Sequence, residues 1–341
     1  MTPVADGVTL VHCRNGHVRI SSTGELELVS TKHHRVVGLV AIVVALCAAV
    51  MGCAGESTTA DGGKTTAPER GEPPTTAGGK TPTTIWKPSS QQPLALHWVL
   101  DGPLDLNDPV AMGQRDPDGD ALPEPDIYDI DGQMNTAATV SALQQRGKKV
   151  ICYFDAGAYE SYRPDAERFP KAVIGSPDQG WDNSFWLDIR RIDVLEPIMR
   201  DRIADCKAKG FDAVEPDEID GYENESGFPL TYQDQLAYNR AIATWAHEAG
   251  LSVGQKGNLE QTADLVDWFD WTLNEECGRY DECSTGGGGL QQYSDVGKAV
   301  WVAEYRAADL DCAAMSRQRW NAALYELGLP ADGGRGPCPG W

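Results

Sequence analysis

Two stretches, Phe211–Tyr222 (FDAVEPDEIDGY) and Trp271–Cys283 (WTLNEECGRYDEC), decide the architecture. Each is a short apolar run that breaks into carboxylates: Glu215, Asp217, Glu218 and Asp220 in the first, Glu275 and Glu276 in the second. An apolar run ending in acids reads as a buried strand that delivers charge to a solvent-facing rim. Outward from these two, the pattern recurs. Strand-like segments run Leu94–Asp101, Asp126–Asp131, Lys149–Asp155, Phe211–Asp217, Leu251–Lys256, Phe269–Asn274 and Lys298–Tyr305. Helix-like segments Thr136–Arg146, Val194–Lys209, Tyr232–Ala249, Leu259–Val266 and Ala313–Leu327 alternate with them. Such alternation implies a parallel sheet covered by helices. The polar residues Asp101, Asp129, Asp131, Asp155, Asp217, Lys256, Glu275 and Glu304 cluster at the C-terminal strand ends. That ring predicts the active face of an α/β (β/α)8 TIM barrel in a single domain. No glycine-rich phosphate fingerprint follows a strand, and the run Gly286–Gly289 is a loop, which disfavours a nucleotide-binding open sheet.

The chain divides by composition into residues 1–53, 54–88 and 89–341. Lys32, His33, His34 and Arg35 precede the uninterrupted apolar run Val36–Met51, and Gly52 and Cys53 follow it. This reads as an export signal. Its closing cysteine resembles a bacterial lipobox, which implies cleavage before Cys53 and lipid attachment to its sulfur. Residues 1–30 resemble no signal, as expected of a start codon assigned too far upstream. Residues 54–88, rich in Thr, Gly and Pro, hold too little apolar surface to order themselves and read as a disordered tether. The expected location is extracytoplasmic, on a lipid anchor at the cell membrane or secreted. The remaining length suits one barrel, expected to act as a monomer.

The formal net charge is −22, and residues 1–53 contribute only three of the 51 acids against four of the 29 bases. So acidic a domain excludes nucleic-acid binding through phosphate contacts and would attract a cationic partner. In an exported chain the even set Cys152, Cys206, Cys277, Cys283, Cys312 and Cys338 favours disulfides over zinc or thiol chemistry. In Lys149–Asp155, alternation puts Ile151, Tyr153 and Asp155 on one face and Cys152 on the other. If Tyr153 and Asp155 face a lumen, Cys152 faces the helices, and Cys206 on the helical segment Val194–Lys209 is its sensible partner. Cys277–Cys283 would clip one rim loop, which leaves Cys312–Cys338. The acids Asp116, Asp118 and Asp120 have calcium-loop spacing, but no terminal glutamate completes the set, so a solvated loop is favoured and no metal is expected. No cofactor is expected either.

Two acidic rims on one cleft supply the carboxylate pair that glycoside hydrolysis requires. The pieces Tyr128–Gly132 (YDIDG), Gly147–Gly157 (GKKVICYFDAG), Arg163, Trp186–Arg190 (WLDIR), Gly210–Tyr222, Gly250–Lys256, Asn274–Glu275 with Cys277, and Val302–Tyr305 together resemble glycoside hydrolase family 114, the endo-α-1,4-polygalactosaminidase family. The resemblance implies a (β/α)8 fold and a retaining hydrolase of α-1,4-linked galactosamine polymers, a cationic amino-sugar polysaccharide. It maps the catalytic carboxylates onto Asp217 and Glu275, and it alone selects Glu275 over Glu276. It also places Tyr153, Asp155, Arg163, Tyr222, Lys256 and Tyr305 in the cleft. Glu215, Asp220 and Glu304 are candidates to pair with substrate ammonium groups, and Asp129 and Asp131 are further candidates at strand ends. The chain departs from the family in carrying Glu218 where Asn is usual and in the insertion at residues 107–125. A non-catalytic glycan-binding surface lipoprotein is the alternative; it predicts loss of a catalytic acid, and none is lost.

Overall fold

The computed structural model describes residues 9–13, 16–20, 26–29, 84–283 and 289–340. The chain forms two units, Met1–Gly79 and Lys80–Trp341. In the first, Thr9–Cys13, Gly16–Ile20 and Leu26–Val29 pair as an antiparallel three-stranded sheet, where the sequence reading placed no element. The apolar run Val36–Met51, Cys53 and the tether up to residue 83 lie outside the described residues.

In the second unit, eight strands follow one another around a parallel sheet: β1 (Leu96–Val99), β2 (Ile127–Asp131), β3 (Lys149–Asp155), β4 (Ala213–Asp217), β5 (Ser252–Lys256), β6 (Trp271–Glu275), β7 (Val300–Glu304) and β8 (Asn321–Tyr325). Arg335–Pro337 adds to β8 antiparallel. The seam between β8 and β1 is drawn together by the chain just beyond the strands: Leu329 O accepts from Leu100 N and Asp101 N at 3.0 and 3.1 Å, and Ala331 N donates to Asp101 O at 2.9 Å. The sheet is thus a nearly closed barrel.

Strand alternation sorts the side chains into two cores, as burial on both faces of a parallel sheet demands. Trp98, Ile127, Ile151, Ala213, Trp271, Leu273, Trp301, Ala303 and Tyr325 form the lumen cluster. Tyr128, Ile130, Cys152, Val214, Val253, Val300 and Val302 face the helices. Large rings fill the lumen: Trp271 meets Trp301 edge to face at 5.4 Å, and Trp98 meets Tyr325 at 6.2 Å. Gly254 on β5 makes room for this, since a Cβ there would lie 2.1 Å from the Trp271 ring.

Helices α1 (Ala137–Gln145), α2 (Ile192–Lys209), α3 (Tyr232–Glu248), α4 (Thr262–Leu265), α5 (Gly289–Asp295) and α6 (Cys312–Gln318) follow β2 to β7 in turn. Among the described residues no helix follows β1 or β8. α3 opens with a capping box, Thr231 and Asp234 exchanging side chain-to-backbone bonds, and α2 ends on left-handed Gly210. One expected element is corrected: Ala313–Leu327 is not a helix but α6 followed by β8. Arg319, at φ 60°, ends the helix and turns the chain into the strand. The segment after β3 carries a small antiparallel sheet, Ala158–Glu160, Ser184–Leu187 and Ile174–Pro177, where the sequence pattern gave neither strand nor helix.

Three disulfides join Cys152 to Cys206, Cys277 to Cys283 and Cys312 to Cys338. The first ties β3 to α2 through the outer core. Gly132 lies against it, where a Cβ would come 2.2 Å from Cys152 Sγ.

Candidate active site

The C-terminal ends of β4, β5 and β6 bring Asp217, Lys256 and Glu275 together. Lys256 Nζ lies 2.9 Å from Asp217 Oδ1 and 2.6 Å from Glu275 Oε2, so those two oxygens stand at most 5.5 Å apart. The lysine passes 5.1 Å from the centroid of the Trp98 ring on its way up. Burial opposes its charge, but Asp217, Glu275 and Glu215 more than offset this and raise its pKa well above the ordinary value. Tyr305, just past β7, donates its hydroxyl to Glu275 Oε1. Glu275 therefore sits between an ammonium and a phenol.

Below this trio, in the barrel lumen, Trp98 Nε1 donates to Glu215 Oε2 at 3.0 Å. Asp129 on β2 faces Glu215, and both carboxyls are fully buried. Burial raises the pKa of Asp129, and the adjacent Glu215 raises it further. Glu215 is raised too, by burial first, against the pull of Lys256. Among the described residues no N–H or hydroxyl reaches either oxygen of Asp129 or Oε1 of Glu215.

Acids also line the β3 side. Asp155 Oδ1 accepts from Gly157 N and Ala158 N at 3.1 and 2.6 Å; burial and the charges of Glu160 and Asp217 push its pKa up. Tyr153 lies opposite Glu215 in the sheet register. Asp178, in the turn of the small sheet, is buried and raised to about 7 by desolvation and then by Asp217. Glu218 is raised by burial and by Asp217.

The backbone turns sharply just after each of two strand-end acids. Glu218 and Glu276, each directly after a strand-end carboxylate, both have φ 54°. At Glu276 this left-handed step takes the side chain away from Glu275. Glu276 then pairs with Arg279 at 2.5 Å, which separates it from Glu275 on a structural ground that period-two alternation alone did not supply. Asn tolerates this backbone region better than Glu, which accounts for the asparagine usual at the position of Glu218. Gly157 completes the turn: Asp217 O accepts from Ala156 N and Gly157 N, and a Cβ on Gly157 would lie 1.6 Å from Glu218 O.

Not every sequence candidate joins the group. Glu304 follows the outward parity of β7, is fully buried, and accepts from Gly278 N at 2.7 Å beneath the Cys277–Cys283 clip; burial raises it to about 7. It braces the rim loop rather than facing the cleft. Glu304 and those two cysteines are also the compact group of metal-ligand types among the described residues, but both sulfurs are bonded to each other. Asp131 and Arg163 form a buried triad with Glu160, Arg163 lying 2.5 Å from Asp131 and 2.6 Å from Glu160. Tyr222 stands at the rim, its hydroxyl on Glu223 and its ring edge-on to Tyr232. Asp220 accepts from Asn224 in the same rim loop. The acids of the 107–125 insertion brace their own turn, Asp116 Oδ1 accepting from Asp120 N at 2.8 Å. Sequence reasoning missed Trp98, Glu160 and Asp178. The lumen parity of β1 was a signal for Trp98; the other two depend on the small sheet.

No curated protein matches this chain. Among solved structures it is similar to Ega3 from Aspergillus fumigatus, determined in complex with galactosamine: 28% identity, TM-score 0.64, covering 76% of this chain and 100% of that one. The glycoside hydrolase domain of PelA from Pseudomonas aeruginosa shares the fold at 14% identity and TM-score 0.51, covering 70% of this chain and 96% of that one. The family model that matches is that of glycoside-hydrolase family GH114, over residues 76–330. With three quarters of its length under that model and two carboxylates facing each other across a lysine at the barrel mouth, the chain belongs to glycoside hydrolase family GH114.

Proposed function

We propose that this protein is an endo-acting, retaining glycoside hydrolase that cleaves α-1,4-linked galactosamine-containing polysaccharide outside the cytoplasm. The observation that carries the reading is the Lys256 bridge. It leaves the bonded oxygens of Asp217 and Glu275 no more than 5.5 Å apart. Retaining enzymes separate their carboxyls by about 5–5.5 Å, whereas inverting ones need about 6.5–9.5 Å to admit a water.

In this mechanism Asp217 protonates the glycosidic oxygen while Glu275 attacks the anomeric carbon from the opposite side. The leaving chain departs and a glycosyl ester on Glu275 remains. Asp217, now a base, takes a proton from water, and the water oxygen displaces Glu275. Lys256 donates to both acids, but its contact with Glu275 is the shorter, 2.6 Å against 2.9 Å, and Glu275 also accepts from Tyr305, so two donors aim it for attack. Asp217 stands within electrostatic range of Asp155, Asp178, Glu215 and Glu218 and is the proton donor.

The acid-lined wall suits a polymer of free amino sugars: Asp155, Asp178 and Glu218, whose pKa values burial raises, would be driven to ionise by an ammonium arriving beside them. The galactosamine bound to the Aspergillus relative supports the same chemistry here. Lipidation at Cys53 with a tether through residue 88 would hold the enzyme at the outer membrane face. The test is product analysis after incubating the full chain with partially deacetylated α-1,4-galactosamine polymer. Shortened oligosaccharides with new reducing ends, released first as the α-anomer, support the reading. Intact polymer that binds the protein overturns it.

A further inference from the structure

We propose that Asp129 and Glu215 share one proton in the floor of the cleft, and that the single negative charge left on the pair positions Lys256 between Asp217 and Glu275. This rests on the catalytic pair proposed above and assigns it a support that touches neither substrate nor reacting atoms.

The geometry leaves few alternatives. Both carboxyls are fully buried in the lumen. Trp98 Nε1, at 3.0 Å, supplies one oxygen of Glu215 with a donor, while Glu215 Oε1 and both oxygens of Asp129 have none from N–H or hydroxyl groups. Two adjacent carboxylates cannot both ionise at such a site, so at least one proton stays. Loss of both charges would leave Lys256 with counter-ions only above it. One shared proton joins an oxygen of Asp129 to Glu215 Oε1, engaging two of the three orphaned oxygens, and keeps a counter-charge below.

The groups facing the pair come from every neighbouring strand. β1 offers the Trp98 indole, which also underlies Lys256 Nζ at 5.1 Å. β3 contributes Tyr153, level with Glu215. β4 places Asp217 two residues beyond Glu215, β5 brings Lys256, and β6 reaches it through the Lys256–Glu275 bond. On β8, Tyr325 is engaged with Leu96 O. On β2, Asp131 is taken by Arg163. Lys256 is thus the cation that meets both the floor pair and the catalytic pair.

The test compares two variants. In Asp129→Asn the amide can donate to Glu215 in place of the shared proton, so the charge is kept and only the proton is lost. In the double variant Asp129→Asn with Glu215→Gln the charge itself is removed. Two residues along a strand is about 6.6 Å. Removing the charge beneath the site should move the basic limb of kcat/KM down by about one to two pH units in the double variant. In Asp129→Asn the limb should stay in place. Difference infrared spectroscopy at neutral pH should show the carbonyl band of a protonated carboxyl in the parent and lose it in Asp129→Asn. A folded double variant with an unmoved limb, or an unchanged infrared band in Asp129→Asn, overturns the proposal. If the double variant does not fold, the infrared band alone decides. Asp217→Asn run alongside separates the two readings: should it keep the basic limb and full activity, the catalytic assignment fails, while the infrared result still judges the shared proton.

Discussion

Lys256→Met removes the charge that joins the two carboxylates proposed as the catalytic pair while keeping a straight chain against Trp98. The ammonium stands 2.6 Å from Glu275 Oε2 and 2.9 Å from Asp217 Oδ1. At 2.6 Å the attraction has a ceiling of about 6 kcal/mol at an effective dielectric of about 20, and a floor of about 1.6 kcal/mol in bulk water. The Glu275 side chain is 33% exposed, so solvent pulls the value toward the floor. That floor corresponds to about a 15-fold loss of kcat/KM at neutral pH, which is the least the variant should show. A neutral side chain of similar length fills the same space against Trp98, so the loss is carried by charge and not by packing. The assay is kcat/KM for parent and variant, with circular dichroism to confirm the fold. A folded Lys256→Met enzyme within about threefold of the parent would refute the electrostatic reasoning.

Asp217→Asn and Glu275→Gln should each lower kcat by at least about 10³-fold on polymer. With an aryl glycoside that needs no protonation, Asp217→Asn should recover while Glu275→Gln stays inactive; recovery of the latter instead would reverse the roles. Glu276→Gln, altering a residue that faces Arg279, should remain within about threefold on surface-charge grounds. Gly157→Ala forces a methyl to within 1.6 Å of Glu218 O, so a thermal midpoint lower by several degrees and a kcat loss are expected together. An unchanged midpoint would mean that the turn gives way freely. His97 is buried neutral, its pKa lowered to about 4, by burial above all, from an ordinary 6.5. Because the folded value is depressed, its contribution is intact above about pH 6.5 and is lost as pH falls toward 4, amounting to about 3 kcal/mol. Denaturant titrations of parent and His97→Gln should therefore diverge across that window; parallel curves would exclude His97 as the cause.

Much of the barrel was legible because β2 to β7 are buried on both faces and end in charge, which few other segments imitate. The eighth strand was not. Asn321–Tyr325 (NAALY) is built of residues that serve a helix equally well, and only the left-handed Arg319 before it and the pairing with β7 make it a strand. The same ambiguity governed the site. Asp217, Lys256 and Glu275 share lumen parity on successive strands, so the sequence carried their convergence. Glu304 was misjudged because it stands one residue out of phase with Ala303 and Tyr305, and a one-residue error moves a side chain through the barrel wall. Asp178 could not be found by periodicity, since it owes its place to the small sheet inserted after β3, where turn geometry and not a repeat sets direction.

Glu218 and Glu276 carry the argument one step further. A left-handed backbone at a non-glycine residue costs of order 1 kcal/mol or more and persists where the surrounding structure enforces it. Here the same step occurs twice, each time directly after a carboxylate that meets Lys256. A strand that continued straight would send the next acid through the barrel wall to the helical side. The left-handed step instead ends each strand at the carboxylate that meets the lysine. At Glu276 the displaced acid is neutralised by Arg279. At Glu218 it is held, with a raised pKa, beside Asp217 and Asp178, so the acid that replaces the usual asparagine remains part of the cleft wall. The cost of the turn is therefore spent on ending each strand at a carboxylate of the proposed catalytic pair, and at one of the two positions it also sets an additional carboxyl beside that pair.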